Sequence, residues 1–181
     1  RMRLGSSISS FMKSDQLAKI WFSWASDQKC QFSDPERAGF AIRSYQHARS
    51  AGDKAIMDDA ISLSVEFMPQ SPETQLYAAN HQFELKETER AVASYKLAVY
   101  YAGGFENINV NDLWNFSKAL NDTANYCEAL GVLRELKIRT QNQVQVKVAL
   151  EELIGSGLCS ISFDEPIKLK QSSSKGMIVL V

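Results

Sequence analysis

The chain has 181 residues, 45% of them hydrophobic and 23% charged, with a formal net charge of −1. This is globular usage over a length that supports one core, and it argues against disorder. The near-neutral charge carries no basic stripe for a nucleic acid, and no apolar run approaches the roughly 20 residues of a membrane helix.

The chain opens RMRLGSS, with two arginines, no apolar stretch behind them and no Met at position 1. It reads as a segment cut from a longer protein, without a visible signal peptide. Residues 14–30, SDQLAKIWFSWASDQKC, predict a helix with Leu17, Ile20, Trp21 and Trp24 on one side. Together with the leader, residues 1–34, it is expected to cap the helices C-terminal to it. Asp34-Pro35 then starts a helix that turns at Gly52-Asp53 into a second, which stops at Met68-Pro69.

The next unit repeats this plan. Ser71 is placed as an N-cap and Pro72 at the first helical position, where its missing N–H costs nothing. Leu76, Ala79, Asn80 and Phe83 mark the first helix; Ala91, Tyr95 and Ala98 mark the second, which stops at Gly103-Gly104. The stretch 112–136, DLWNFSKALNDTANYCEALGVLREL, places Leu113, Phe116 and Leu120 on one helix face. It resumes with Tyr126, Ala129, Leu130, Leu133 and Leu136. Between them, NDTAN is poor in helix formers and rich in turn formers, so two antiparallel helices are predicted. Residues 141–154 predict one more helix with Val144, Val148, Leu150 and Ile154. After Gly155-Ser156-Gly157, LCSISF and IKLK alternate as strands do, and the chain ends in GMIVLV. These strands form either a small hairpin or the first buried strand of a following α/β domain.

Met57, Ala91 and Ala129 occupy equivalent points in the three second helices, 34 and then 38 residues apart. With Ala91–Tyr95 and Ala129–Leu133 as small-then-large pairs, and Leu113, Phe116 and Leu120 at the fourth, seventh and eleventh positions, residues 35–140 resemble the tetratricopeptide repeat (TPR) family. The departures are specific. Tyr45, Asn80 and Ser117 stand where the family has glycine at the eighth position, and the second spacing is long. The resemblance implies a mainly α fold, an antiparallel helix-pair solenoid over 35–155, followed by a short β segment over 156–181.

It also implies a concave groove lined by the first helix of each pair. The lining positions are Gly39, Ile42, Gln46 and Arg49; Thr74, Tyr77, His81 and Glu84; and Asn111, Trp114, Lys118 and Asn121. Of these, Gln46, Arg49, Tyr77, His81, Glu84, Asn111, Trp114, Lys118 and Asn121 are the expected contacts to a protein or peptide partner. Aromatics off the core stripe supply area at low entropy cost, and amides bond a partner's backbone. Some members clamp a C-terminal carboxylate with Lys and Asn at the fifth and ninth positions. Here those hold Ile42 and Gln46, Tyr77 and His81, Trp114 and Lys118, so an internal segment is the expected ligand.

Chemical signals are sparse. His47 and His81 are the two histidines, and no HExxH, CxxC, GxGxxG or phosphate-loop pattern occurs, so neither metal nor cofactor is expected. Ser10-Phe11-Met12-Lys13 and the glycosylation-type triplets at Asn115 and Asn121 read as chance. Cys30, Cys127 and Cys159 are odd in number and scattered, which reads as free thiols in a reducing, cytoplasmic setting. The function expected is therefore a scaffold or interaction module, with self-association through the solenoid ends as a further expectation. The alternative is a helical accessory region of a larger enzyme whose catalytic α/β domain follows Val181.

Overall fold

A computed structural model of the chain describes residues 12–141 and 143–159. Eight α-helices follow one another within them: α1 Ser14–Ser26, α2 Asp34–Ala51, α3 Lys54–Phe67, α4 Pro72–Glu84, α5 Thr88–Ala102, α6 Val110–Asp122, α7 Tyr126–Arg139 and α8 Val144–Gly155. A short 3-10 turn, Phe105–Asn107, precedes α6. There is no strand among the described residues. The strands expected from Leu158 onward lie, past Cys159, outside them.

Side-chain caps set half of the helix starts. At α2, Ser33 and Glu36 form a capping box, with the Ser33 N–H donating to Glu36 Oε2 at 2.9 Å. Asp53 Oδ1 accepts from the Ile56 N–H at the start of α3, Ser71 Oγ from Thr74 at α4, and Asn109 Oδ1 from Asp112 at α6.

The three hairpin turns share one closure. Gly52, Lys86 and Ala124 each take a left-handed backbone, with φ of 73°, 66° and 59°. In each, the next N–H reaches five residues back: Asp53 to the Ala48 carbonyl, Glu87 to Gln82, and Asn125 to Leu120. These bonds satisfy carbonyls that the helix end would orphan. The left-handed residues are 34 and then 38 apart, the spacing read from the alanines. Lys86 and Ala124 hold this conformation without glycine's freedom, at a cost of roughly 1–2 kcal/mol each.

α1 ends four residues earlier than the periodicity predicts. Asp27 accepts from the Lys29 N–H at 2.8 Å, which favours a turn. Arg37 of α2 then collects the carbonyls of the loop, donating through Nη2 to Asp27 at 2.8 Å and Cys30 at 3.2 Å, and through Nε to Phe32. Trp21 stacks on Phe40 at 5.7 Å and Trp24 meets the same ring edge-on, so α1 covers α2 with aromatic surface.

Helices cross at small residues. Ala18, Ala25, Ala41, Ala48, Ala60, Ala79, Ala91, Ala98, Ala119 and Ala129 are all fully buried. A methyl group at a crossing lets two helix axes approach closely, and interaxial distance is set by the contact side chains. Around these seams lie two apolar clusters. One runs from α4 to α8 and holds Leu113, Leu120, Leu133 and Leu136; the other joins α1, α2, α3 and α4 around Tyr45, Met57 and Ile61.

Two buried phenols follow from this packing. Loss of hydration, with Glu84 nearby, pushes Tyr45 up to about 12; burial, aided by Asp112, pushes Tyr95 higher still. The folded state therefore holds these protons more tightly than the unfolded chain, whose tyrosines titrate near ~10. The stabilisation is complete below pH ~10 and is lost as pH rises through the folded values. Denaturant midpoints should fall between about pH 10 and pH 12, and they should fall less steeply in Tyr45→Phe. A second test concerns Arg37. Replacing it with Ala strands partly buried carbonyls and should cost about 2–3 kcal/mol by urea unfolding, with earlier proteolysis near Ser26.

Candidate functional site

Two hollows form between first helices of successive pairs. The one between α2 and α4 encloses about 380 Å3 and is lined by Gly39, Ile42, Gln46, Met68 and Thr74. Beyond it, Gln46 Nε2 donates to the Tyr77 hydroxyl at 2.6 Å, and Arg49 is ion-paired with Glu84. Tyr77 also meets the Tyr45 ring edge-on, with centroids 5.8 Å apart. Four predicted contact residues, Gln46, Arg49, Tyr77 and Glu84, are thus brought together across two helices.

The hollow between α6 and α8 is larger, about 560 Å3. Trp114 and Leu133 line it from α6 and α7, Val144, Val148 and Leu153 from α8, and Leu158 from the segment after α8. Lys118, Asn121 and Glu152 add polar groups to the lining. Lys118 Nζ lies over the Trp114 ring, 5.2 Å from its centroid, so the ring is held against the hollow by a cation–π contact. Val144 is 76% exposed and Leu158 57%, which leaves apolar surface open to water at this site. A volume of this size, apolar with a few polar groups, suits a side chain or short segment of a ligand.

Other predicted positions fall elsewhere. His81 does not reach the surface: it is 4% exposed. Its Nε2 lies 2.6 Å from Asp58 Oδ1 on α3, and its ring packs edge-on against Tyr45. Nδ1 is buried with no hydrogen-bond partner among the described residues. The cause is the width of α4's buried stripe. That helix packs on both α3 and α5, so Thr74, Gln75, Ala78, Ala79 and His81 are all inside. Thr74 is buried with His81, and Ile42 of α2 is buried as well. Asn111 is exposed in the first turn of α6, outside both hollows.

A polar cluster behind the site was not foreseen from the sequence. Asn80 Nδ2 donates to Asp112 Oδ1 at 2.7 Å, while Asn80 Oδ1 accepts from the Tyr95 hydroxyl at 2.6 Å and from Asn115 Nδ2 at 3.0 Å. It sets the position of α6, and so of Trp114, against α4 and α5. The available signal was that Asn80 interrupts an apolar stripe.

The cysteines also differ from the expectation of three free thiols. Cys127, in the first turn of α7, is joined by a disulfide to Cys159, beyond the end of α8. Sulfur pairing depends on two chain positions meeting in space, which spacing alone does not reveal. Cys30 remains a free thiol, and its hydrogen bond to the Asp27 carboxylate pushes its pKa up, which depletes the reactive thiolate.

Among the described residues, no group of three or more His, Cys, Asp or Glu is placed to hold a metal ion, and no helix is long and apolar enough to cross a membrane. No family model matches the chain, and no curated protein or solved structure shows significant similarity to it.

The polar cluster yields a direct test. Asn80→Leu removes three hydrogen bonds and leaves the buried Tyr95 hydroxyl without its acceptor. A loss of about 2–3 kcal/mol is expected in chemical denaturation, and adding Tyr95→Phe should recover part of it.

Proposed function

We propose that this chain is a non-enzymatic interaction module of tetratricopeptide type. In this reading its helix pairs lie in a row, and α2, α4, α6 and α8 face a concave groove that takes an internal peptide segment of a partner protein. Contacts between successive pairs support the row. Gln46 meets Tyr77 across 31 residues, Arg49 meets Glu84 across 35, Asn80 meets Asp112 across 32, and Lys96 meets Glu128 across 32. Arg139 donates to the Phe105 carbonyl across 34. Near-constant separations of this kind arise when each unit packs on the next in the same register.

The observation that carries the function is the open apolar hollow beside Trp114. A water-exposed apolar cavity with an aromatic wall and flanking Lys118, Asn121 and Glu152 is suited to an apolar anchor set in a polar backbone. Gln46 and Tyr77, which bond each other, and Arg49 and Glu84, which are ion-paired, add polar groups between α2 and α4. His81 has no part in this surface, because it is buried.

A partner peptide isolated by affinity capture should bind saturably in calorimetry. Trp114→Ala should weaken it at least tenfold and Lys118→Glu several-fold, with helical circular dichroism unchanged. Unaltered affinity in both variants would remove the groove from consideration.

A further inference from the structure

We propose that the Cys127–Cys159 disulfide is a redox latch that sets the shape of the α6–α8 hollow, so that oxidation favours ligand binding there and reduction weakens it. This rests on the groove reading above and adds a control to it.

The latch arises from how the chain leaves α8. The helix ends at Gly155, and Gly157 turns left-handed, with φ of 64°. That reversal brings Leu158 to the hollow, where Ser156 and Leu158 both form part of the lining. The hydrogen bonds of this stretch point back to α8 or stay within it. Gly157 N–H donates to the Ile154 carbonyl at 3.2 Å, Ser156 Oγ to the Leu153 carbonyl at 2.7 Å, and Leu158 N–H to Ser156 Oγ at 3.3 Å. None of these three ties Leu158 to the opposite wall. The covalent tie is the sulfur bridge from Cys159, the next residue, to Cys127 at the start of α7. Leu158 is 57% exposed and gains only part of its burial energy, so beside the packing of Cys159 on the α4–α8 cluster the bridge is the covalent restraint on where it sits.

Cys127 is itself on the exposed face of α7, which leaves the bridge open to attack. Opening is ordinary thiol–disulfide exchange with a small thiol such as glutathione. One thiolate attacks a bridge sulfur and forms a mixed disulfide, while the other protein sulfur leaves as thiolate and takes a proton from water. A second small thiolate then attacks the small-molecule sulfur of that mixed disulfide and expels the protein sulfur as a thiolate, which is protonated, giving two protein thiols and one oxidised small-molecule disulfide. Once opened, residues 156–159 lose their tie to α7. Leu158 is then no longer held in the lining of the hollow, and a bound apolar group loses that contact.

The probe for the test is the anionic dye anilinonaphthalene sulfonate, followed by its emission and by quenching of tryptophan emission, with Trp21 and Trp24 replaced by Phe so that Trp114 alone reports. The full chain is titrated oxidised and after reduction by dithiothreitol, with thiols counted by mass spectrometry after alkylation. The oxidised chain should bind at least threefold more tightly than the reduced one. Cys127→Ser and Cys159→Ser should each match the reduced form and ignore reductant, Leu158→Ala should weaken the oxidised form, and Cys30→Ser should keep the full response. Equal affinity in the two verified redox states, with binding still lost in Trp114→Ala, overturns the latch and leaves the groove. No dye binding in either state overturns both. Loss of helical circular dichroism on reduction overturns the latch as well, because the bridge would then be holding the fold rather than the hollow.

Discussion

Close approach of helices at alanine is the constraint on which this structure depends. A helix hairpin buries one stripe within itself and leaves another that only a neighbouring hairpin can cover. Here α4 and α6 each face two partners, so their buried surface is wider than a simple amphipathic stripe. Fully buried alanines at the crossings let axes come close enough for Tyr45, Tyr95, Leu113 and Leu120 to fill the remaining space. A larger residue at Ala79 or Ala119 would force helices apart and open those packed neighbours together.

The eighth position of each first helix then decides what lies between successive units. Where the family resemblance would place glycine, this chain has Tyr45, Asn80 and Ser117. Tyr45 lies against Tyr77 and His81 of the next first helix. Asn80 reaches Asp112 and Asn115 of the one after. Each of these side chains carries its contact from one unit into the next, and buried polar groups that are fully paired in this way set register as well as supply energy. Tyr45 thus joins α2 to α4, and Asn80 joins α4 to α6.

Much of the helical layout was legible because its signals are local. Ser71-Pro72, Gly52-Asp53, Gly103-Gly104 and NDTAN act through their own backbone preferences, and the structure breaks helices at each. The turn at Lys86 carries no such local signal, since neither Lys nor Glu favours a left-handed backbone; the Glu87 N–H bond to the Gln82 carbonyl compensates there. The site was legible in part. Trp114, Lys118 and Asn121 could be placed together because helical periodicity alone puts them on one face. His81 shares that periodicity with Tyr77 yet is buried, because the width of a stripe depends on how many neighbours the helix has. The pairing of Cys127 with Cys159 and the meeting of Asn80 with Tyr95 required the tertiary arrangement, and no pattern in one sequence encodes it.

The same kind of position also bears on the hollow between α6 and α8, which Ser117 helps to line. At the two earlier junctions the eighth-position side chain spans the gap, as a ring at Tyr45 and a branched amide at Asn80. At the third it is Ser117, whose hydroxyl turns back to the Trp114 carbonyl of its own helix at 2.8 Å. A serine is too short to reach α8 as Tyr45 and Asn80 reach their neighbours, and α8 presents Val144, Val148 and Leu153 to the hollow beside the polar Gln145 and Glu152. The space is therefore left to be lined by Trp114 and by Leu158. An apolar wall of this kind facing water has a standing cost in hydration that a bound apolar group would relieve. The openness of the hollow thus follows from the short side chain at Ser117, where Tyr45 and Asn80 bridge to the helices beside them.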